Sequence, residues 1–300
     1  MSRNFALLLS TCDAYWPFAC LTQELLARHW PGHPPLYVCG RSAPEAPNQL
    51  PFHGSERDWI GITLQALEHL QARGVEWMYL VLDDHPPVGP CNVEYLNRHL
   101  PEHAAALGAI QVALQGWDQH QPRQGAPEKR STLAWQRNDP DFAWKFSLHP
   151  GFWHVATLQR LLRTLRTQAP DVTTARAFES RLDGAAATLD PDLRRRTFRV
   201  RGDGFATGRH WYERRWSRQL ALPTLHLLRF GARVRGGDAP ARVDERLLVY
   251  LQYLNGPYPM FWSGLIQRRQ LNETALRFLV WSGQADVAEA IRRLPLPGPL

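Results

Sequence analysis

The sequence predicts an α/β fold with a mainly parallel sheet flanked by helices, followed by a helical, basic C-terminal extension. Apolar strand patterns alternate with amphipathic helix patterns through the first half of the chain. This order favours right-handed crossovers and parallel strands. The second observation is the segment 79–85, Tyr-Leu-Val-Leu-Asp-Asp-His, in which an apolar strand runs into two carboxylates and an imidazole and stops at Pro86-Pro87. A buried strand of this kind belongs to the middle of a parallel sheet.

The first half divides into elements by hydrophobic periodicity, turn residues and caps. We predict, in chain order, strand 5–11, helix 15–30, strand 36–39, loop 42–57, a helix that Asp58 caps and Gly74 ends, strand 79–82, helix 92–103 and strand 109–114.

The second half is less regular, and no internal repeat or clear linker is present. We predict a long loop over 116–141, an aromatic strand over 143–153 broken at Pro150-Gly151, a helix over 155–165, partial helix over 171–189, an exposed strand or arm over 194–201, a helix over 244–254, and two short helices within 272–294 separated at Gly283. The predicted organisation is a nucleotide-sugar-binding domain over 1–190 and a basic, partly helical extension over 191–300 packed on it.

Composition limits the protein class. A chain of 300 residues with 44% hydrophobic content can bury a substantial core. No apolar run reaches the roughly 18 residues that span a bilayer, and the N-terminus lacks a signal-peptide pattern, so we expect a cytoplasmic protein. The four cysteines form no C-x-x-C pair, which favours buried free thiols over disulfides or zinc ligands.

Charge is distributed unevenly along the chain. Residues 1–150 carry 11 basic and 15 acidic side chains, whereas residues 151–300 carry 24 basic and 13 acidic ones. Nearly all the basic residues are Arg, since Lys129 and Lys145 are the only lysines. Arginine suits bidentate contact with phosphate, so diphosphates, anionic lipid headgroups and nucleic acid are all conceivable partners. The alternative is a solvated Arg-rich surface.

The acidic turn after strand 79–82 is the principal candidate site. Carboxylates there would lie at the carboxyl edge of the sheet, where open α/β folds bind ligands, and Asp13 in the loop after the first strand would share that edge. Carboxylate oxygens are suitable ligands for hard divalent cations. The alternative is a solvated turn in which Asp83 and Asp84 cap nearby backbone amides.

Three motifs carry a resemblance to a known family: Leu-Leu-Leu-Ser-Thr-Cys-Asp-Ala-Tyr at 7–15, Leu-Val-Leu-Asp-Asp at 80–84, and Phe-Ser-Leu-His-Pro-Gly-Phe-Trp at 146–153 with Glu179 beyond it. In order and spacing they resemble glycosyltransferases of the GT-A type, in particular the family 2-like sugar transferases of bacterial polysaccharide and lipopolysaccharide synthesis. The resemblance covers about residues 5–185. It implies a metal-assisted transfer from a nucleotide sugar and favours inversion of configuration at the anomeric carbon.

The resemblance also implies a metal site in the acidic turn. The family usually has Asp-x-Asp, whose carboxylates hold Mn²⁺ or Mg²⁺ on the donor diphosphate. Asp84 would bind the metal, and Asp83 would bind ribose or the metal. This sequence departs from the pattern at His85, which stands where the second motif carboxylate would be and is a more natural ligand for Mn²⁺ than for Mg²⁺.

Other site residues follow from the same resemblance. Glu179 matches the late acidic residue that takes the proton of the acceptor hydroxyl, with Asp171 and Asp183 as rivals. The implied substrate-binding residues are Thr11, Asp13 and Tyr15 on the nucleotide base or ribose, Lys145 and His149 on the diphosphate or acceptor, and Trp153 on a sugar ring.

The expected partners are a nucleotide-sugar donor and a saccharide or lipid-linked acceptor, with peripheral association on the inner membrane face through the basic second half. Nucleic acid is not an expected partner of such an enzyme. Two alternatives stay open: a nucleotidyltransferase-like enzyme on a similar sheet, and an Arg-rich nucleic-acid-binding protein that uses residues 191–235. The first would need a phosphate-binding loop, and the loop after the first strand has no glycine-rich pattern.

Overall fold

A computed structural model of the chain describes residues 4–114, 135–138, 145–200, 205, 224, 227, 248, 249, 252–267 and 269–297. Its centre is an eight-stranded sheet with the strand order β3-β2-β1-β4-β7-β5-β8-β6. The strands are β1 Phe5–Ser10, β2 Leu36–Cys39, β3 Gln49–Leu50, β4 Trp77–Leu82, β5 Gln111–Ala113, β6 Trp135–Arg137, β7 Gly151–His154 and β8 Thr197–Val200.

The sheet is parallel across β3, β2, β1 and β4 and mixed across the remaining strands. β1 pairs in parallel with β2 and β4, β2 with β3, and β5 with β8, whereas β7 runs antiparallel between β4 and β5 and β6 runs antiparallel to β8. Among the described residues, no helix is both long and apolar enough to cross a bilayer.

Helices cover both faces of the sheet. They are α1 Trp16–His29, α2 Trp59–Ala72, α3 Leu100–Ala106, α4 Val155–Gln168, α5 Ala175–Leu189, α6 Glu273–Trp281 and α7 Ala285–Arg293. One core cluster joins α2, α4 and α5 to one face of β1 and β4, and a second joins α1 and α3 to the opposite face. Successive strand side chains point to opposite faces, so Leu8 lies in the first cluster and Leu7 and Leu9 in the second. This arrangement confirms the predicted α/β class with a mainly parallel sheet flanked by helices.

The C-terminal segment packs on the N-terminal half. It contains two small hairpins, β9 Tyr253–Leu254 with β10 Met260–Phe261 and β11 Ile266–Gln267 with β12 Gln270–Leu271. A third core cluster joins these hairpins, α6 and α7 to the outer side of α1. Backbone hydrogen bonds add to this packing, since Val88 N donates to Pro259 O over 2.9 Å and Leu265 N donates to Asp84 O over 2.7 Å.

Several local predictions are confirmed. Asp58 caps α2, because its Oδ1 accepts from Gly61 N over 3.0 Å, and Gly74 follows that helix with φ +72°. The two C-terminal helices α6 and α7 are separated at Gly283, whose φ is +84°. In each case a capping side chain, or a glycine in the left-handed backbone conformation, lies within a few residues of the helix terminus that it determines.

Other local predictions are wrong. The loop predicted over 116–141 contains β6, although most of that range lies outside the described residues. The aromatic strand begins only at Gly151, and residues 145–150 bend. The exposed strand predicted near Arg194 is the buried strand β8, which lies between β5 and β6. Strand pairing with distant partners decides these three cases, and local periodicity does not report it.

The boundary predicted at residue 190 does not separate the sheet from the extension. β8 lies beyond that position and pairs with β5 and β6 inside the central sheet. The helix predicted over 244–254 falls largely outside the described residues, and its last two residues form β9.

Candidate functional site

The acidic turn lies beside the loop that follows β1. β1 and β4 run in parallel with Ser10 opposite Leu82, so both strands deliver their next residues to the same edge of the sheet. Asp83 N donates to Ser10 O over 3.2 Å, and Thr11 Oγ1 donates to Asp83 Oδ2 over 2.7 Å. Two of the predicted site residues, Thr11 and Asp83, are therefore in direct contact.

Asp83 is held inside the protein. Only 9% of the residue is exposed, and Thr22 Oγ1 of α1 donates to its carbonyl oxygen over 2.6 Å. Burial, followed by the charge of Asp84, raises the pKa of Asp83 well above its ordinary value. The side chain therefore joins the loop after β1 to the acidic turn.

Asp84 and His85 form a close pair. Their Oδ1 and Nδ1 atoms are 2.6 Å apart, and the other ring nitrogen, Nε2, lies 3.3 Å from the carbonyl oxygen of Trp262. Burial by itself would lower the pKa of His85, but the Asp84 carboxylate outweighs it through its charge and its hydrogen bond, so that the net pKa is raised. Both ring nitrogens of His85 therefore face acceptor oxygens, an arrangement in which a protonated ring donates on both sides.

His149 approaches the same carbonyl oxygen. Its Nε2 lies 3.0 Å from Trp262 O, its Nδ1 lies 2.7 Å from Ser147 Oγ, and its ring stacks on the Trp262 indole at 4.0 Å between centroids. Burial, followed by the positive charge of His85, lowers the pKa of His149 to about 3, so the ring is neutral at pH 7. A carbonyl can only accept, so Nε2 carries the proton and Nδ1 accepts from Ser147.

Glu179 lies at the end of this series of contacts. It is on α5, whose first turn is capped by Thr174, and its Oε1 accepts from Leu148 N over 2.6 Å and lies 3.4 Å from Ser147 Oγ. Burial is the main cause that raises the pKa of Glu179, against the opposing effect of the hydrogen bond from Leu148 N. The contacts form one series from the acidic turn to Glu179: Asp84, His85, the Trp262 carbonyl, His149, Ser147 and Glu179.

Asp13 and Tyr15 lie in the short 3₁₀-helix after β1. Arg41 Nη1 binds Asp13 Oδ1 over 2.8 Å, and Ser42 Oγ donates to the other carboxylate oxygen. The Arg41 guanidinium lies 4.4 Å above the Trp16 ring. Burial, followed by the charges of Asp84 and Asp83, raises the pKa of Tyr15.

Two of the predicted substrate-binding residues, Lys145 and Trp153, have structural roles within the fold that need no ligand. Lys145 is 1% exposed, and its Nζ pairs with Asp183 over 2.9 Å; Arg194 binds that same carboxylate. Trp153 is fully buried in the core cluster beneath α4, so its ring offers no surface on which a sugar could stack. Of the rivals of Glu179, Asp183 takes part in these ion pairs and Asp171 is exposed.

The C-terminal contribution to the site was not predicted from the sequence. Trp262 provides the carbonyl on which both histidines converge, and Gly264 lies directly on Asp84. Gly264 has φ +64°, and a Cβ at this position would come within 2.6 Å of Asp84 O. The segment Trp-Ser-Gly at 262–264 has no spacing typical of a motif, and only its conformation indicates the close approach.

The predicted three-ligand metal site does not fit these residues. Both nitrogens of His85 face acceptor oxygens of the protein, so neither is directed towards a cation, and Asp83 is buried against Thr11. Within the described part of the chain, no group of three His, Cys, Asp or Glu side chains is placed to hold a metal. Asp84 is the one predicted ligand that keeps partial exposure, with 19% of its side chain accessible.

No protein-family model matches the chain, and no curated protein matches it. Among solved structures, it is similar to the "Crystal structure of a glycosyltransferase involved in the glycosylation of the major capsid of PBCV-1". The identity is 12%, the TM-score is 0.32, and the match covers 66% of this chain and 80% of that chain. This similarity is too low to indicate a family or an activity, so any functional conclusion depends on the chemistry of the site.

Proposed function

We propose that this protein is a glycosyltransferase that moves a sugar from a nucleotide-sugar donor to a saccharide or lipid-linked acceptor in the synthesis of a bacterial surface polysaccharide. The observation that supports it most is the series of contacts from Asp84 to Glu179. It joins an acidic turn at the carboxyl edge of a parallel sheet to a carboxylate whose pKa is raised. Asp84, Ser147, His149 and Glu179 of this series belong to the sequence motifs that resemble GT-A enzymes, whereas Trp262 does not.

In this proposal the donor nucleotide lies along the loop after β1. Thr11 contacts Asp83 of the acidic turn, Tyr15 lies in the same loop, and Asp13 is held in place by Arg41. The base or ribose would contact these three residues, and the diphosphate would lie above the Asp84–His85 pair. This orientation follows the rule that ligands of open α/β sheets bind outside the carboxyl ends of the strands.

Glu179 is the proposed base of a direct displacement. The acceptor oxygen forms a bond to the anomeric carbon while the bond from that carbon to the phosphate oxygen breaks, and the leaving nucleoside diphosphate takes the electron pair. The acceptor proton passes to Glu179, whose hydrogen bond from Leu148 N holds one oxygen in place. Attack from the side opposite the leaving group gives inversion.

Two of the arginines in the described part of 191–235 are engaged within the fold, which weakens the nucleic-acid-binding alternative. Arg194 pairs with Asp183, and Arg199 is 4% exposed within β8. Most of that range lies outside the described residues. Peripheral association with the inner membrane face stays a prediction from charge alone.

The test is a donor screen with a matched pair of variants. UDP-, GDP-, dTDP- and CMP-sugars are tested for thermal stabilisation and for slow hydrolysis, in which water replaces the acceptor. We expect one donor class to bind, and Glu179→Gln to keep that binding while hydrolysis falls by about 10²-fold or more, because the amide cannot take a proton. Glu68→Gln is the control, since Glu68 is an exposed residue paired with Arg163. Full hydrolysis by Glu179→Gln would exclude it as the base, and no stabilisation by any donor would reject the proposed function.

A further inference from the structure

We propose that the Asp83–His85 turn receives the donor diphosphate without a divalent ion, because the His85 ring engages the Asp84 carboxylate that a metal would need. The inference rests on the proposed function, because it concerns how the charge of that donor is met. It departs from the metal site that the sequence motif implies.

Both ring nitrogens of His85 are engaged by oxygen atoms of the protein. Its Nδ1 lies 2.6 Å from Asp84 Oδ1, and its Nε2 lies 3.3 Å from Trp262 O. A nitrogen can coordinate a metal only through a lone pair, and neither nitrogen has one while it donates to an acceptor. The carbonyl of His85 is also engaged, since Tyr258 Oη donates to it over 2.9 Å. The residue is therefore held on three sides in an orientation that suits an ion pair.

The two carboxylates are engaged as well. Asp84 Oδ1 binds His85, and a Cβ placed on Gly264 would lie 3.0 Å from Asp84 Oδ2, so the backbone of the C-terminal segment packs against that second oxygen. Asp83 Oδ2 accepts from Thr11 in the buried interior. A divalent ion prefers several oxygen ligands around it, and this turn offers at most one partly exposed carboxylate oxygen.

The contact between His85 and Asp84 reduces the repulsion between the acidic turn and the donor diphosphate, which a metal would otherwise offset. In an acidic motif without a cation, two carboxylates would repel the donor diphosphate, and a bound ion offsets that charge. Here the His85 ring already engages the Asp84 carboxylate, with Nδ1 2.6 Å from Oδ1. Arginine also contributes positive charge: the charge of Arg269 acts against the rise in the pKa of Tyr15, although burial and the charges of Asp84 and Asp83 outweigh it. Guanidinium groups bind phosphate oxygens well.

Nucleoside diphosphate binding with and without metal tests this directly. UDP, GDP and dTDP are titrated by calorimetry in excess EDTA and, separately, in Mn²⁺. We expect the wild-type dissociation constant for the preferred nucleotide to agree within about twofold between the two conditions. An affinity that falls tenfold or more in EDTA would overturn the inference. The comparison uses the wild-type protein, so it does not depend on the folding of a variant.

Substitutions locate the effect in the turn. His85→Asp restores an acidic motif and should bind nucleotide at least tenfold more weakly than wild type in EDTA, with recovery in Mn²⁺. Equal affinity of His85→Asp and wild type in EDTA would contradict the role of His85. Arg269→Gln should weaken binding in EDTA severalfold, whereas Arg293→Gln, which removes an exposed arginine paired with Glu289, should not. Unchanged affinity of Arg269→Gln would count against protein arginine as the source of positive charge.

A metal-only measurement separates this inference from the proposed function. Mn²⁺ is titrated into the protein without nucleotide and followed by electron paramagnetic resonance. We expect no bound Mn²⁺ at 1:1 stoichiometry for wild type, and bound Mn²⁺ for His85→Asp. Stoichiometric binding to wild type that Asp84→Asn abolishes would overturn the inference even if no nucleotide binds. Failure of every donor to bind would reject the proposed function while this measurement still decides the nature of the turn.

Discussion

The hydrogen bond between Thr11 and Asp83 joins the first loop to the acidic turn through one hydroxyl group. Thr11→Val keeps the branched shape of the side chain but leaves a buried carboxyl group without its donor. We expect the free energy of unfolding to fall by about 1–3 kcal/mol, as is typical when a buried polar group loses its partner. Urea unfolding monitored by circular dichroism measures the change.

Thr63→Val is the matched control for that substitution. Thr63 is also fully buried, on α2, but its hydroxyl has no hydrogen-bond partner among the described residues. Its removal should leave stability unchanged or slightly increased. Equal losses for the two variants would show that the Thr11 hydroxyl contributes through packing alone.

His149 makes the stability of the protein depend on pH. The ordinary pKa of a His is about 6.5, and burial beside the charged His85 lowers the pKa of His149 to about 3 in the folded protein. Between these values the unfolded chain binds the proton and the folded chain does not, so the free energy of unfolding falls as the pH is lowered through that window. The slope that this one residue contributes is at most about 1.4 kcal/mol per pH unit.

His149→Asn should reduce that slope, as measured by urea unfolding at several pH values between 7.5 and 4.5. His85 and Glu179 also titrate near this position, so the variant is compared with wild type rather than with an absolute slope. His53→Asn is the control because His53 is exposed. A slope that His149→Asn leaves unchanged would contradict a neutral His149 in the folded protein.

The loop between β10 and β11 packs on the acidic turn through Gly264. Its φ of +64° disfavours a side chain, and a Cβ would also meet Asp84 O at 2.6 Å. Gly264→Ala should therefore lower stability by more than the 1–2 kcal/mol typical of a left-handed non-glycine residue. It should also weaken nucleotide binding, because Leu265 N and Trp262 O would move away from Asp84 and His85.

Gly283→Ala separates backbone strain from the close contact. Gly283 also has a positive φ, +84°, but nothing lies within 4 Å of a Cβ at that position. It should show the strain cost alone and normal nucleotide binding. Thermal unfolding and calorimetry of both variants measure these effects, and equal losses would show that the approach to Asp84 does not matter.

At the scale of the whole molecule, the C-terminal helices share a core with α1. Leu279 of α6 is fully buried in that cluster, whereas its neighbour Val280 is 43% exposed. Leu279→Ala should cost about 2–5 kcal/mol, and Val280→Ala should stay within about 0.5 kcal/mol of wild type. Chemical denaturation should show one cooperative transition that Leu279→Ala shifts as a whole. A separate early transition in that variant would instead indicate an independently unfolding C-terminal domain.

Much of the candidate site could be predicted from local sequence, and part of it could not. Thr11, Asp83 and Asp84 follow two apolar strands, so their convergence at one edge of the sheet follows from the strand order. Glu179 was predicted from its place after an aromatic motif, and the structure links it to the acidic turn through His149. Lys145 and Trp153 were predicted as substrate contacts from the same motif, but a buried ion pair and core packing account for their positions.

Local sequence was sufficient to predict the class of fold, the first strands and helices, and the acidic turn at a strand end, because these depend on periodicity and caps within a few residues. Tertiary structure decided that β6 and β8 join the sheet and that His85 acts as the partner of Asp84. The contact from His85 to Trp262 spans 177 positions along the chain. Local sequence cannot report such a contact, because the energy that maintains it comes from packing of the C-terminal segment on α1 and on the turn.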